Sequence, residues 1–257
     1  MRIHGKVVVI TGASAGIGAA CASEFRRRGA RLSLVARSED KLRQVAREGD
    51  LFVAADLTQP EARRQAVELT LERFGSIDIL INNAGVGLYA PSWQASESDA
   101  RHLFDLNFFV PLAMIRLVVP HMRERRSGVI VNVGSIAGKM TLPWFTLYSA
   151  SKYALGSLTD GLRMELRSDG IHAITVCPGY VKTDFQKNVL GGRPPERVVQ
   201  ARRFTITADT CARAIADGVE RSARTVVTPW AGWVLIALQR LLPRVFDARL
   251  AAMNRQS

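Results

Sequence analysis

Cysteine is scarce in this chain. Cys21, Cys177 and Cys211 lie far apart, are odd in number and lack C-x-x-C or His-rich ligand spacing. Neither a disulfide framework nor a metal site is indicated, and a reducing cytoplasm is the expected location. Acidic residues are also in deficit: 23 Asp and Glu stand against 35 Lys and Arg, a formal net charge of +12. The tail beyond residue 184 holds twelve of the cations and only five acids. An excess of this sign can mean nucleic acid, anionic lipid or an acidic substrate. Aromatics make up only 7% of the chain and cluster with apolar residues rather than among the arginines. Nucleic-acid binding needs stacking or base-reading groups as well as charge, so no nucleic-acid partner is expected. No apolar run of signal-peptide length follows Met1-Arg2-Ile3-His4-Gly5, so no secretion signal is expected.

What is present begins with a core. With 257 residues, 47% of them apolar, the chain can bury one good-sized interior, and a single domain over residues 1–257 is expected. Residues 6–10 form a short β-branched run, the mark of a strand buried on both faces. It leads into Thr11-Gly12-Ala13-Ser14-Ala15-Gly16-Ile17-Gly18 and then a helical stretch. Strand, glycine-rich turn and helix N-terminus are the context in which backbone amides cradle a pyrophosphate. The second strand ends in Ala36-Arg37-Ser38, with no carboxylate before Glu39. A carboxylate there would select NAD through the ribose 2′-hydroxyl, whereas a cation suits the 2′-phosphate of NADP(H). Asp56, closing a third strand over residues 51–57, can reach an adenine amino group or cap a turn.

Further strands are expected over residues 77–81, 128–133, 171–176 and 224–228, alternating with helices. This rhythm predicts an α/β fold, a doubly wound parallel sheet of about seven strands with helices on both faces and a helical C-terminal extension. Between them, residues 97–125 carry one long helical pattern. Pro111 lacks the amide that would bond the Asn107 carbonyl, so a kink freeing that carbonyl is expected. The strand over residues 128–133 delivers Ser135 to the carboxyl edge of the sheet, where ligands bind in such folds. Tyr148 and Lys152, four apart on a helix, share one face, and a nearby ammonium favours the phenolate.

Six motifs in order, T-G-x-x-x-G-x-G at Thr11 to Gly18, N-N-A-G at Asn82 to Gly85, Asn107, Ser135, Y-x-x-x-K at Tyr148 and Lys152, and P-G followed by Thr183, resemble the short-chain dehydrogenase/reductase family in its common single-domain Rossmann form. The resemblance covers roughly residues 5–185. It implies hydride transfer between a nicotinamide cofactor and a carbonyl or alcohol carbon, with Tyr148 exchanging the oxygen's proton. It further implies that Lys152 lowers the tyrosine pKa and binds the ribose, that Ser135 holds the substrate oxygen, and that Asn107 holds a water leading to solvent. The implied cofactor contacts are Gly12, Ser14, Gly16, Ile17, Gly18, Arg37, Asp56, Leu57, Asn83, Ala84, Gly85, Tyr148, Lys152, Pro178, Gly179, Val181 and Thr183. A dinucleotide-sensing regulator without turnover is the alternative reading, against which the intact Ser135, Tyr148 and Lys152 speak.

Residues 185–207, with paired glycines, paired prolines and several arginines, are expected to form a substrate lid. Beyond them, Trp230, Trp233, Val234, Ala237, Leu238, Leu241, Leu242 and Val245 repeat at helical spacing, joined by Phe246, Leu250 and Met253. The stripe over residues 230–253 has an uncharged run, residues 225–239, that is too short and too soon interrupted by Arg240 and Pro243 to span a bilayer. It is expected to cover the pocket or pack on a second subunit as a homo-oligomer, with peripheral membrane contact as the lesser alternative, and to suit a lipophilic small-molecule substrate.

Overall fold

The sheet is organised on β1 (Val7–Thr11), in which all five residues are buried. Successive side chains of a strand point to opposite faces. Val8 and Ile10 accordingly join one core cluster, and Val9 joins the other. The computed structural model describes residues 1–192 and 205–254, with side chains through residue 252.

In chain order, α1 (Gly16–Arg27), β2 (Arg31–Ala36), α2 (Glu39–Val45), β3 (Leu51–Ala54), α3 (Pro60–Phe74) and β4 (Ile79–Asn82) follow. Next come a short β5 (Leu88–Tyr89), α4 (Glu97–Phe104), α5 (Val110–Glu124), β6 (Gly128–Val133), α6 (Thr146–Glu165) and β7 (Ile171–Pro178). The remainder comprises β8 (Tyr180–Lys182), β9 (Leu190–Gly191), β10 (Thr205–Thr207), α7 (Ala208–Glu220), β11 (Thr225–Thr228), α8 (Ala231–Leu241) and α9 (Pro243–Asn254). Seven strands form one parallel sheet in the order β11-β7-β6-β4-β1-β2-β3. This is the doubly wound Rossmann arrangement. Leu32 and Leu34 on one face pack with side chains of α1 and α7, while Val35, Leu80 and Ile130 on the other pack with α3, α5 and α6. The order reverses at β1 and β4, so their carboxyl ends open a crevice.

Several boundaries differ from the sequence reading, each for a local reason. The third strand stops at Ala54 rather than reaching residue 57, because Asp56 Oδ1 accepts hydrogen bonds from the Thr58 amide (3.0 Å) and hydroxyl (2.9 Å) and turns the chain. The strand expected from residue 77 starts at Ile79. Its predecessor Asp78 is buried and accepts from the Val7 amide at 2.9 Å, with Lys6 and Arg125 beside it. The long helix of residues 97–125 is interrupted by a π-helical turn at Asp105–Phe109, in which the Val110 amide bonds the Asp105 carbonyl. By length and composition Glu97–Glu124 is apolar enough to cross a membrane, but Met114, Val118 and Met122 are buried in the sheet's core.

The arginines of residues 26–28 satisfy local charges. Arg26 pairs with Asp50, and Arg28 gathers Glu24, Asp217 and Glu220, clamping α1 to α7.

Candidate active site

The glycine turn between β1 and α1 is shaped by backbone demands. Gly12 and Gly16 have φ of +65° and +56°, the left-handed region that side chains with a Cβ seldom adopt. A Cβ at Gly18 would lie 2.1 Å from the Gly12 carbonyl oxygen, so only glycine lets the first turn of α1 fold back on the loop. Loop and neighbouring strand are fastened by Thr11 and Asn83. The Thr11 hydroxyl accepts from the Asn83 and Ala84 amides at 2.9 and 3.0 Å, and the Asn83 carboxamide donates to the Thr11 and Gly12 carbonyls. The Asn83 side chain is thus committed to the loop. Thr11 is a site residue whose bracing role sequence reasoning missed.

A second polar chain crosses the sheet: Asn82 donates to Asn132, which donates to Thr159 on α6, each at 2.9 Å. Buried polar groups persist only when they are paired, and these bonds lock β4, β6 and α6 together. Asn132 and Thr159 were not singled out from sequence either, since nothing local marks one buried amide as the partner of another.

Asn107 sits in the π-helical turn. Its Oδ1 accepts from the Val86 amide at 2.9 Å, and its Nδ2 donates to the Val86 carbonyl (2.9 Å) and to Ser151 Oγ (3.1 Å). The side chain therefore ties the loop after β4 to α6. That loop brings Gly85 beside Lys152: a Cβ there would stand 2.9 Å from Asn107 Oδ1 and 3.4 Å from Lys152 Nζ.

Ser135 follows β6 and caps a short 3-10 turn, accepting from the Ala137 amide at 3.1 Å. Tyr148 lies in the first turn of α6, buried, with its ring stacked on Phe145 at 4.1 Å. Phe145 stacks in turn on Tyr89 at 4.3 Å, and Phe185 meets Tyr148 edge-on. Lys152 is 5% exposed; its Nζ donates to the Val133 carbonyl at 3.1 Å and stands 5.7 Å from the Tyr148 ring centroid.

The electrostatics correct one expectation. Burial pushes the Tyr148 phenol well above its ordinary pKa, a side-chain hydrogen bond with Ser135 pulls the other way, and Lys152 does not reverse the balance. The ammonium is itself stripped of water, and burial pulls its pKa down to about 8. Desolvation penalises the charged form of both groups.

These residues line one cavity of about 880 Å³. Gly12, Gly16, Ile17, Ala84 and Gly85 are at one side, with Pro178, Gly179, Val181 and Thr183 closing in from the segment after β7. Ser135, Tyr148 and Lys152 share the cavity with an apolar wall that includes Met140, Leu142, Phe145 and Phe185. Ser14 and Gly18 lie in the glycine turn without lining this cavity. Arg37, at the end of β2, is exposed, and so is Asp56, whose carboxyl stays below its ordinary pKa: against the upward pull of burial, the two Thr58 bonds and the nearby Arg37 cation prevail. Asp56 thus caps a turn, as one of its two readings held. The Leu57 side chain is in the core, so only its backbone can face a ligand.

The tail divides between the cavity and the open surface. The residues of α8 buried against the fold are Gly232 and Ile236, which approach Cys177, Val227 and Ile136. The expected stripe is mostly open: Trp230, Leu241, Leu242 and Val245 are all exposed. A flank of α8 with Val234, Leu235 and Leu238, joined by Phe246 and Leu250 of α9, lines the cavity. The Met253 side chain lies outside the described residues, as does the part of the expected lid at residues 193–204. Of the lid's remainder, Phe185, Gln186 and Asn188 face the cavity.

Fold and site together define a Rossmann oxidoreductase architecture, with a glycine cradle and a buried Tyr-Lys pair lining one cavity. The short chain dehydrogenase family model matches residues 6–193. Dehydrogenase/reductase SDR family member 7B of Danio rerio is 34% identical to this chain, the match covering 99% of this chain and 87% of that protein. Among solved structures, a short chain dehydrogenase/reductase from Burkholderia phymatum in complex with NAD matches with a TM-score of 0.87 at 26% identity, over 95% of this chain and 96% of that one. A short chain dehydrogenase from Burkholderia cenocepacia in complex with NADP matches with a TM-score of 0.82 at 29% identity, over 97% and 99%. The chain belongs to the short-chain dehydrogenase/reductase family of oxidoreductases.

Proposed function

We propose that this protein uses NADP(H) to interconvert a carbonyl group and a secondary alcohol on a lipophilic small molecule. One observation carries the reading: Ser135, Tyr148 and Lys152 converge in the same cavity as the glycine cradle. The cradle fits a dinucleotide, because its glycines keep Cβ atoms out of the space before the α1 N-terminus, where amides and the helix dipole favour phosphate. A nicotinamide dinucleotide, when bound, supplies or takes the hydride. The chain's residues do the rest. Tyr148, held protonated by burial, donates its phenol proton to the substrate oxygen, and Ser135 holds that oxygen by a hydrogen bond. The Lys152 ammonium favours the phenolate left behind and orients the ribose, and Asn107 keeps Gly85 and its loop in place and leads a water path from Lys152 to solvent.

Arg37 supports NADP(H) over NAD(H). It is exposed, and the chain has no acid at the end of β2: the first one after it, Glu39, lies at the start of α2 and pairs with Arg43 at 2.5 Å. The apolar wall supports a lipophilic substrate, with residues 185–207 as its lid. We take the chain as one domain, working in the cytoplasm as a homo-oligomer; exposed Phe109, Tyr153 and Met164 offer apolar surface for a second copy.

Tyr148→Phe tests the central assignment. Turnover of a ketone panel with NADPH is expected to fall by about 10² to 10⁴, the usual worth of general acid–base catalysis, while NADPH affinity by fluorescence titration stays within about twofold. Near-normal turnover in the Phe variant would remove Tyr148 from its role.

A further inference from the structure

The outer flank of α8 is neither core nor cavity wall. Trp230, Trp233, Ala237 and Leu241 follow one another at spacings of three, four and four, which place them on one side of the helix. None of the four lines the cavity, and Trp230 and Leu241 are 75% and 77% exposed. Leu242 and Val245 extend the open apolar surface toward α9. A contiguous patch of this kind on a soluble surface marks an interaction site. Its charge identifies the occupant. Arg240, Arg244 and Arg249 are exposed among these residues, with Asp247 the only acid over residues 230–254. Arg244 and Arg249 form no ion pair with a described carboxylate. A second copy seated on this face would bring one arginine cluster against the other, since a two-fold contact is self-complementary. An anionic bilayer meets both features: tryptophan prefers the headgroup level, and arginine binds the lipid charge.

We propose that the outer face of α8 and the start of α9 dock this protein on anionic membrane surfaces, holding the roof of the cavity against lipid. The opposite flank of the same helix carries Val234, Leu235 and Leu238 into the cavity, so the docked helix would have lipid on one side and the cavity on the other. Docking of this kind does not depend on turnover.

Flotation of the full chain with phosphatidylcholine vesicles, and with vesicles containing 30% phosphatidylserine, tests it directly. Binding to the anionic vesicles, a blue shift of tryptophan emission and weakening in high salt are expected. Trp230→Ser with Leu241→Gln should lower the partition coefficient about tenfold, and Arg244→Ser with Arg249→Ser should lower it about 25-fold through charge alone, at about fivefold per arginine. Unchanged far-UV dichroism and thermal midpoints establish that both variants are folded. Failure of the folded wild type to float, equal binding to neutral vesicles, or binding undiminished in either variant would overturn the proposal. So would light scattering that shows a dimer dispersed by the Trp230 and Leu241 changes, which would assign the face to a second copy.

Discussion

A buried lysine at the site carries a measurable cost in stability. Burial lowers the Lys152 pKa from 10.5 to about 8. A cation whose folded pKa lies below its unfolded value opposes folding while it is charged in both states. That opposition is fully present below pH 8 and is relieved as pH rises from about 8 toward 10.5. The linkage amounts to about 3 kcal/mol at pH 7, of which about 1 kcal/mol is recovered by pH 9. Lys152→Met removes the charge, keeps most of the volume and forfeits the hydrogen bond to the Val133 carbonyl, which gives back about 1–2 kcal/mol. The variant should therefore be more stable than wild type by about 1–2 kcal/mol at pH 7 and should lose about 1 kcal/mol of that advantage by pH 9. Urea unfolding without cofactor at pH 7, 8 and 9 measures the difference. Using the difference matters because burial also raises the thiols of Cys21, Cys177 (to about 11) and Cys211 (to about 12). Those groups weaken the fold as pH rises past the unfolded thiol pKa, but equally in both proteins. A Met variant less stable than wild type at pH 7, or an advantage that does not shrink with pH, would refute the reasoning.

Arg37→Ala should weaken NADPH binding about tenfold or more, because a hydrogen bond to a charged group is worth roughly 1.5–3 kcal/mol, while NADH binding changes little; equal losses for both cofactors in fluorescence titrations would deny Arg37 the 2′-phosphate. Gly18→Ala places a Cβ 2.1 Å from the Gly12 carbonyl oxygen and 2.7 Å from Asn83 Nδ2, so the cradle must shift. A stability loss of about 1–3 kcal/mol is expected, along with a collapse of NADPH affinity, both absent in Gly161→Ala, where the nearest atom is Glu165 Oε1 at 3.5 Å. A stable Gly18→Ala protein with normal NADPH affinity would show that the tight approach is not required.

The glycine turn, Ser135, Tyr148, Lys152 and the parallel sheet were legible because local rules dictate them: a strand buried on both faces, a loop that excludes Cβ atoms and an i,i+4 pair are all patterns in adjacent residues. The Tyr148 pKa was not legible, since its sign rests on the balance between burial, which raises it, and the hydrogen bond with Ser135, which lowers it. Thr11, Asn132 and Thr159 escaped for a similar reason, because a buried hydrogen bond between strands has no signature in either strand alone. The π-helical turn at Asp105–Phe109 is a related case. The amide missing at Pro111 announced a disturbance, but only the packing of Asn107 against Val86 and Ser151 determines which one.

The tail shows where periodicity itself fails. With Leu235 and Ile236 as apolar as their neighbours, α8 offers greasy residues on nearly every side, and counting them cannot say which side is buried. The deciding mark was Gly232. A glycine inside a helix costs about 1 kcal/mol relative to alanine, so its presence points to a close approach. A Cβ at Gly232 would stand 2.7 Å from Val227 Cγ1 and 3.1 Å from Ile136 Cδ1. Ile236, four residues on, falls on the same face and is 3% exposed. Reading the helix from its glycine sets Gly232 and Ile236 against the sheet and leaves Trp230 and Leu241 outside. The open apolar face is therefore what remains of an all-apolar helix once its one crowded side has been placed.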